Sequence, residues 1–261
     1  MKVFTVAFIF ILFCVDATAQ TPGQIEAGLL KRLDSLAKWS NYVGSSDYEK
    51  LETENELLRN DLLKFGKIPA TIGYAFPKLQ EKMFIATSSD GRLRIYSWDR
   101  ETGGTMHDFE AVFQYRGRSG KVYTWTEARD DEDYSAGVFY HDIFQANSAA
   151  GPVYLAISTF IGSTSLAGQN VNAVKINGEK LEPKAKVFRT AEGLTNTIGF
   201  GYDFFSVVDR PERPIKLFKF EVGKMELSFP IVIEDDKTSL GRVTNKFITY
   251  RFNGTHFVKV N

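Results

Sequence analysis

Hydrophobic positions along this chain change their spacing twice. Near the start, Val3 to Val15 forms an almost unbroken apolar run behind Lys2. Asp16-Ala17-Thr18-Ala19-Gln20 follows, with small residues at −3 and −1 if cleavage falls after Ala19. That order predicts a secretory signal peptide over residues 1–19. The run is about 13 residues, short of the roughly 20 that cross a bilayer. Phe13, not a small residue, precedes Cys14, so Cys14 reads as part of the apolar run and not as a lipid attachment site.

From Thr21 the apolar period becomes helical. Thr21-Pro22-Gly23-Gln24 supplies a capping threonine, an N1 proline and an N3 glutamine, and Ile25, Leu29, Leu33 and Leu36 share one face. A second start at Ser46-Asp47-Tyr48-Glu49 precedes Tyr48, Leu51, Leu58, Leu62 and Phe65 on one stripe, ended by Gly66 and Pro69. Each stripe is narrow, so the pair is expected to be a helical hairpin laid on one face of a sheet.

From about Lys82 the period drops to two. Five hairpins are predicted, each two alternating strands around a glycine turn: Phe84–Trp98, Val112–Thr126, Val174–Leu181, Leu217–Phe229 and Phe247–Val260. Their spacing is irregular, which argues against a propeller or solenoid. The expected fold is mostly β (α+β): an antiparallel, hairpin-built sheet forming a sandwich or barrel, with an N-terminal helical hairpin. The division is signal peptide 1–19, helical hairpin and connection 20–80, and β domain 81–261. Ala128–Ser135 and Gly162–Asn170 read as looser stretches.

Composition narrows the chemistry. With Cys14 inside the leader, the mature chain has no disulfide, thiolate metal site or cysteine nucleophile. The 22 Phe, 11 Tyr and 3 Trp suit a packed β fold. Basic and acidic residues balance at 32 each, which argues against a nucleic-acid partner. No second apolar span follows the leader, so no membrane span is expected after cleavage. No G-x-S-x-G elbow, H-E-x-x-H or P-loop is present.

Three places could carry function. His107-Asp108 and His141-Asp142 could supply a divalent-metal site or a general base. Neighbours on a strand face opposite ways, so each pair offers one ligand to a given site. Asp130–Asp133 could offer oxygen ligands to calcium but lacks the loop spacing of an EF-hand. Asp99 and the loop Gly103-Gly104-Thr105 follow the strongest strand, and the glycines allow close backbone approach to a ligand. Tyr96 and Trp98 share a strand face with Arg92 and Arg94. That face reads either as an exposed binding strip or as core. Asp209–Pro214 reads as a rigid charged loop with local ion pairs.

Thr87–Asp99 with Thr102–His107, and the ending Val243–Gly254, resemble uncharacterised exported bacterial proteins with a signal peptide, a short helical region and a β-rich body. The resemblance implies export to the periplasm, cell surface or exterior and adds no catalytic residue. The expected function is an exported, non-enzymatic module binding a ligand or envelope protein near Tyr96, Trp98, Asp99, Gly103, Gly104 and Thr105. A metal-dependent hydrolase using His107 and His141 is the alternative, and a structural or assembly role in the envelope is a third.

Overall fold

The computed structural model describes residues 20–43, 47–128, 136–235 and 238–260. The leader and the acidic cluster Asp130–Asp133 lie outside these residues. Helix α1 (Pro22–Trp39) starts with the expected capping box, Thr21 and Gln24 bonding each other's backbone N–H. Helix α2 (Tyr48–Phe65) is capped by Asp47, whose carboxylate accepts from the Lys50 N–H. The cap is thus one residue later than Ser46. Tyr48, the first residue of the helix, is 62% exposed despite its place on the stripe, while Asn55 further along it is fully buried.

Strands β1 (Phe84–Thr87), β2 (Leu93–Asp99), β3 (Phe109–Arg116) and β4 (Val122–Trp125) form a first, four-stranded sheet in sequence order. The second sheet contains β5 (Phe139–Ser148), β6 (Gly151–Ile161) and β7 (Leu166–Asn177), with β8 (Lys180–Glu182) beside β7. β9 (Phe188–Thr190) and β10 (Gly193–Thr195) open the third sheet, and β11 (Thr197–Asp203) returns to the free side of β7. β12 (Lys219–Glu221), β13 (Glu226–Asp235), β14 (Thr238–Phe252) and β15 (Phe257–Lys259) complete the third, six-stranded sheet. Pairing is antiparallel except between β15 and β9.

The sheets are open and stacked, so the sandwich alternative holds and the barrel does not. Three apolar clusters show the layering. The helical leucines meet Tyr96, Trp98 and Val112 on one side of the first sheet. Leu93, Ile95, Phe113 and Tyr115 on its other side meet Ile143, Tyr154, Ala156 and Val174 of the second. Val153, Leu155, Ile157 and Val171 then meet Phe188, Leu227, Phe229, Tyr250 and Phe257 of the third. β6 is therefore covered on both faces, which explains its continuous apolar run in place of alternation. All five predicted hairpins form.

Gly162–Asn170 is not a loose stretch. Only residues 162–165 turn; from Leu166 the chain is strand. Its small polar residues have packing roles. A Cβ on Gly168 would strike the Phe160 ring. Gln169 is fully buried, donating to the Ile215 carbonyl and accepting from the Leu217 N–H at 3.0 Å. A buried amide with both ends paired is compatible with a strand that composition alone would call a loop.

Candidate functional site

The alternation in β2 puts Tyr96 and Trp98 on one face, as parity requires, but that face is covered by the helices. Tyr96 is 2% exposed and Trp98 1%. The Trp98 indole donates to the Asn55 side-chain oxygen at 3.0 Å, and Tyr96 donates to Gln114 at 2.9 Å. Arg94 on the same face is buried and donates to the Thr71 and Tyr74 carbonyls. The aromatic strip is core, and neither ring is available to a ligand. The helical hairpin needed an apolar partner surface, and this was it.

Asp99 ends β2, and the loop 100–108 begins there. Arg100 N–H to Asp108 carbonyl, 2.8 Å, closes its base. Arg100, 8% exposed, ion-pairs with Glu52 of α2 and with Asp108. The Asn55 amide donates to the Arg100 carbonyl at 2.9 Å. The other side of the loop is tied to the end of α1: Asn41 N–H to the Glu101 carbonyl at 3.1 Å, Asn41 side chain to the Thr102 carbonyl at 2.7 Å, and Ser40 hydroxyl to the Glu101 carboxylate at 2.6 Å. Glu101 holds a left-handed φ of 61°, a conformation uncommon for a residue with a side chain. Burial, with the Asp99 charge behind it, pushes the Glu101 carboxyl above its ordinary range against the opposing Ser40 bond.

These anchors fix His107. Its Nδ1 lies 2.5 Å from an Asp99 carboxylate oxygen, and the other Asp99 oxygen accepts from the Glu101 N–H at 2.9 Å. The backbone N–H of His107 bonds the Ile161 carbonyl at the end of β6, 3.1 Å. The Tyr42 ring sits 5.2 Å from the imidazole, centre to centre, and its hydroxyl is 3.2 Å from Nδ1. The Asp99 bond raises the imidazole above its ordinary pKa, outweighing burial. The imidazole is thus oriented as in a carboxylate–histidine pair, with Nε2 left for something else.

Around this pair lies a cavity of 720 Å³. Phe84, Phe109, Phe139, Ile161, Tyr202, Phe204 and Ile215 supply most of its apolar wall, with Asp99, Thr105, His107 and Arg213 among the polar contributors. Phe84, Phe109 and Phe139 pack against each other, with ring centres 4.0–6.5 Å apart. Phe84, Phe109 and Phe139 each open a strand and Ile161 closes one, so the cavity sits where strand ends from the first two sheets meet. Clefts of this size and lining take small organic ligands.

Of the residues singled out from the sequence, the structure brings Asp99, Thr105 and His107 to this cavity. Gly103 and Gly104 shape the loop instead. A Cβ at Gly103 would clash with the Met106 carbonyl, so the close approach there is the chain's own. His141 is not among the cavity residues. It occupies a β-bulge, where Tyr140 opposes Ser158 and Asp142 opposes Ile157. A bulge suspends strict alternation, and so His141 Nδ1 bonds its neighbour Asp142 at 3.0 Å, contrary to the opposite-face expectation. Burial works to raise the Asp142 carboxyl, but the bonds from His141 and Lys216 hold it below its ordinary range. Among the described residues no three His, Cys, Asp or Glu side chains converge as a metal would need.

Sequence reasoning passed over the wall itself, and Arg213 with it. The usable signal was aromatic residues at strand ends beside glycine-bearing loops, where a packed centre has no need of them. Comparison with known protein families, with curated proteins and with solved structures finds no match to this chain. Among the described residues no helix is long and apolar enough to cross a membrane.

Proposed function

We propose that this chain is an exported, non-enzymatic binding module whose ligand is a small molecule with an apolar body, held in the cavity beside His107. The observation that carries the reading is the cavity: aromatic residues from two sheets line an open cleft of 720 Å³, with the Asp99–His107 pair among its polar groups. Such a cavity offers apolar burial worth roughly 25 cal/mol per Å² of ligand surface and a few fixed polar groups for orientation. The hydrolase alternative has less support, because His107 and His141 are each engaged by a separate aspartate.

The test is fluorescence titration of the chain from Gln20 onward with N-phenyl-1-naphthylamine, a neutral apolar dye, beside Thr105→Trp. Thr105 is exposed on the cavity wall, so a large side chain there obstructs entry without disturbing the core. Saturable enhancement that the variant loses supports the reading. Enhancement equal in both proteins, or none in either, contradicts it.

A further inference from the structure

Charge is unevenly distributed around the cavity. Its wall holds one carboxylate, Asp99, already engaged by the Glu101 N–H and His107. It also holds two basic side chains, His107 and Arg213. Arg213 donates to three carbonyl oxygens, those of Val208 at 2.9 Å, Arg210 at 2.6 Å and Glu212 at 2.8 Å. It lies 5.7 Å from the Phe204 ring centre. These contacts fix the guanidinium without neutralising it, and no carboxylate pairs with it among the described residues. Its neighbour Glu212 pairs instead with Arg210 at 2.6 Å. Three bonds use three of the five guanidinium protons, leaving donors for a further acceptor. Burial pushes the cavity phenol of Tyr202 above its ordinary range, and the charges of Arg210 and then Arg213 oppose that rise. On the Asp99 side, His107 Nε2 has no partner among the described residues.

A fixed guanidinium beside an aromatic trough, with an imidazole lining the same cavity, suits an anion joined to an apolar body. A planar carboxylate matches the guanidinium fork best. We propose that the ligand is a small carboxylic acid, its carboxylate held by Arg213 with His107 as a second donor, its apolar body among Phe84, Phe109, Phe139 and Phe204. This rests on the cavity being the ligand site.

The experiment is isothermal titration of the chain from Gln20 onward at pH 6 and low salt with decanoate and with 1-decanol, which share an apolar body. Decanoate is expected to bind about tenfold more tightly, as a charge-assisted hydrogen bond at a solvent-facing rim allows. In Arg213→Met the preference should fall to about twofold or less, and in His107→Gln it should narrow, because decanoate affinity falls more than decanol affinity in both. Far-UV circular dichroism confirms that each variant folds. Equal binding of the two ligands by the unsubstituted protein overturns the acid assignment while leaving the cavity reading intact. A preference that survives both substitutions overturns it too. Binding of neither ligand overturns the cavity reading itself.

Discussion

Asn55 is the most consequential single side chain in the support of the site. It is fully buried on α2, accepts from the Trp98 indole at 3.0 Å, and donates to the carbonyls of Leu51 and Arg100 at 3.0 and 2.9 Å. In Asn55→Ala the Leu51 carbonyl keeps its place in the helix ladder. The Trp98 N–H and the Arg100 carbonyl are left buried with nothing to replace the amide. Each such orphan costs about 1–3 kcal/mol, so the variant should lose roughly 2–4 kcal/mol of unfolding free energy, allowing for partial relaxation. Urea denaturation followed by far-UV circular dichroism measures the loss. Paired with Trp98→Phe in a double-mutant cycle, the coupling should be about 1 kcal/mol or more, as expected for groups in direct contact. Because Asn55 also pins the first residue of the His107 loop, amide exchange at Gly104 and His107 should quicken. A loss under about 0.5 kcal/mol, or a coupling near zero, would refute the reasoning that this amide joins helix, sheet and loop.

Other predictions follow from the same geometry. The raised His107 pKa means that the fold favours the protonated ring, so this stabilisation is full below about pH 6.5 and is lost as pH rises through the folded value. Asp99→Asn should bring the imidazole back toward its ordinary pKa in an NMR titration and flatten that part of the pH profile of the urea midpoint. An unchanged titration would show that Asp99 does not set the ring. Thr159 lines the cavity, yet its hydroxyl is sealed from solvent without a hydrogen-bond partner among the described residues. Thr159→Val should therefore stabilise the protein by about 1 kcal/mol, measured by chemical denaturation, whereas destabilisation would mean that the hydroxyl has a partner.

The elements that could be read from the sequence were those specified locally. Asp90-Gly91 and Asn177-Gly178 fix their turns through residues that tolerate positive φ, and both glycines adopt it. The capping box at Thr21 acts within one turn of helix, and it formed as written. Apart from the one-residue shift of the α2 cap, the failures are tertiary. Tyr96 and Trp98 have the same alternation whether the face meets water or helices; only the position of α1 and α2 decides. Gly162–Asn170 looked loose because Gly168 and Gln169 serve partners outside the segment, Phe160 on the neighbouring strand and, far along the chain, Ile215–Leu217. The bulge at His141 broke the parity argument that separated it from Asp142. For the site, Asp99, Thr105 and His107 stood out through polar chemistry next to glycines. The rest of the wall comes from strand ends and from Arg213, distant in sequence, and only the stacking of sheets brings them together.

If the cavity beside His107 takes an apolar ligand, the methyl groups on its wall must sense it. Methyl NMR of the chain from Gln20 onward, labelled at isoleucine and alanine and titrated with 1-decanol, tests this most directly. Ile161, Ala167 and Ile215 line the cavity, whereas Ile233 is exposed on the third sheet. Saturable shifts at Ile161, Ala167 and Ile215 with Ile233 unmoved are the predicted result. Shifts confined to Ile233 and other surface methyls, or none at all, would contradict the account.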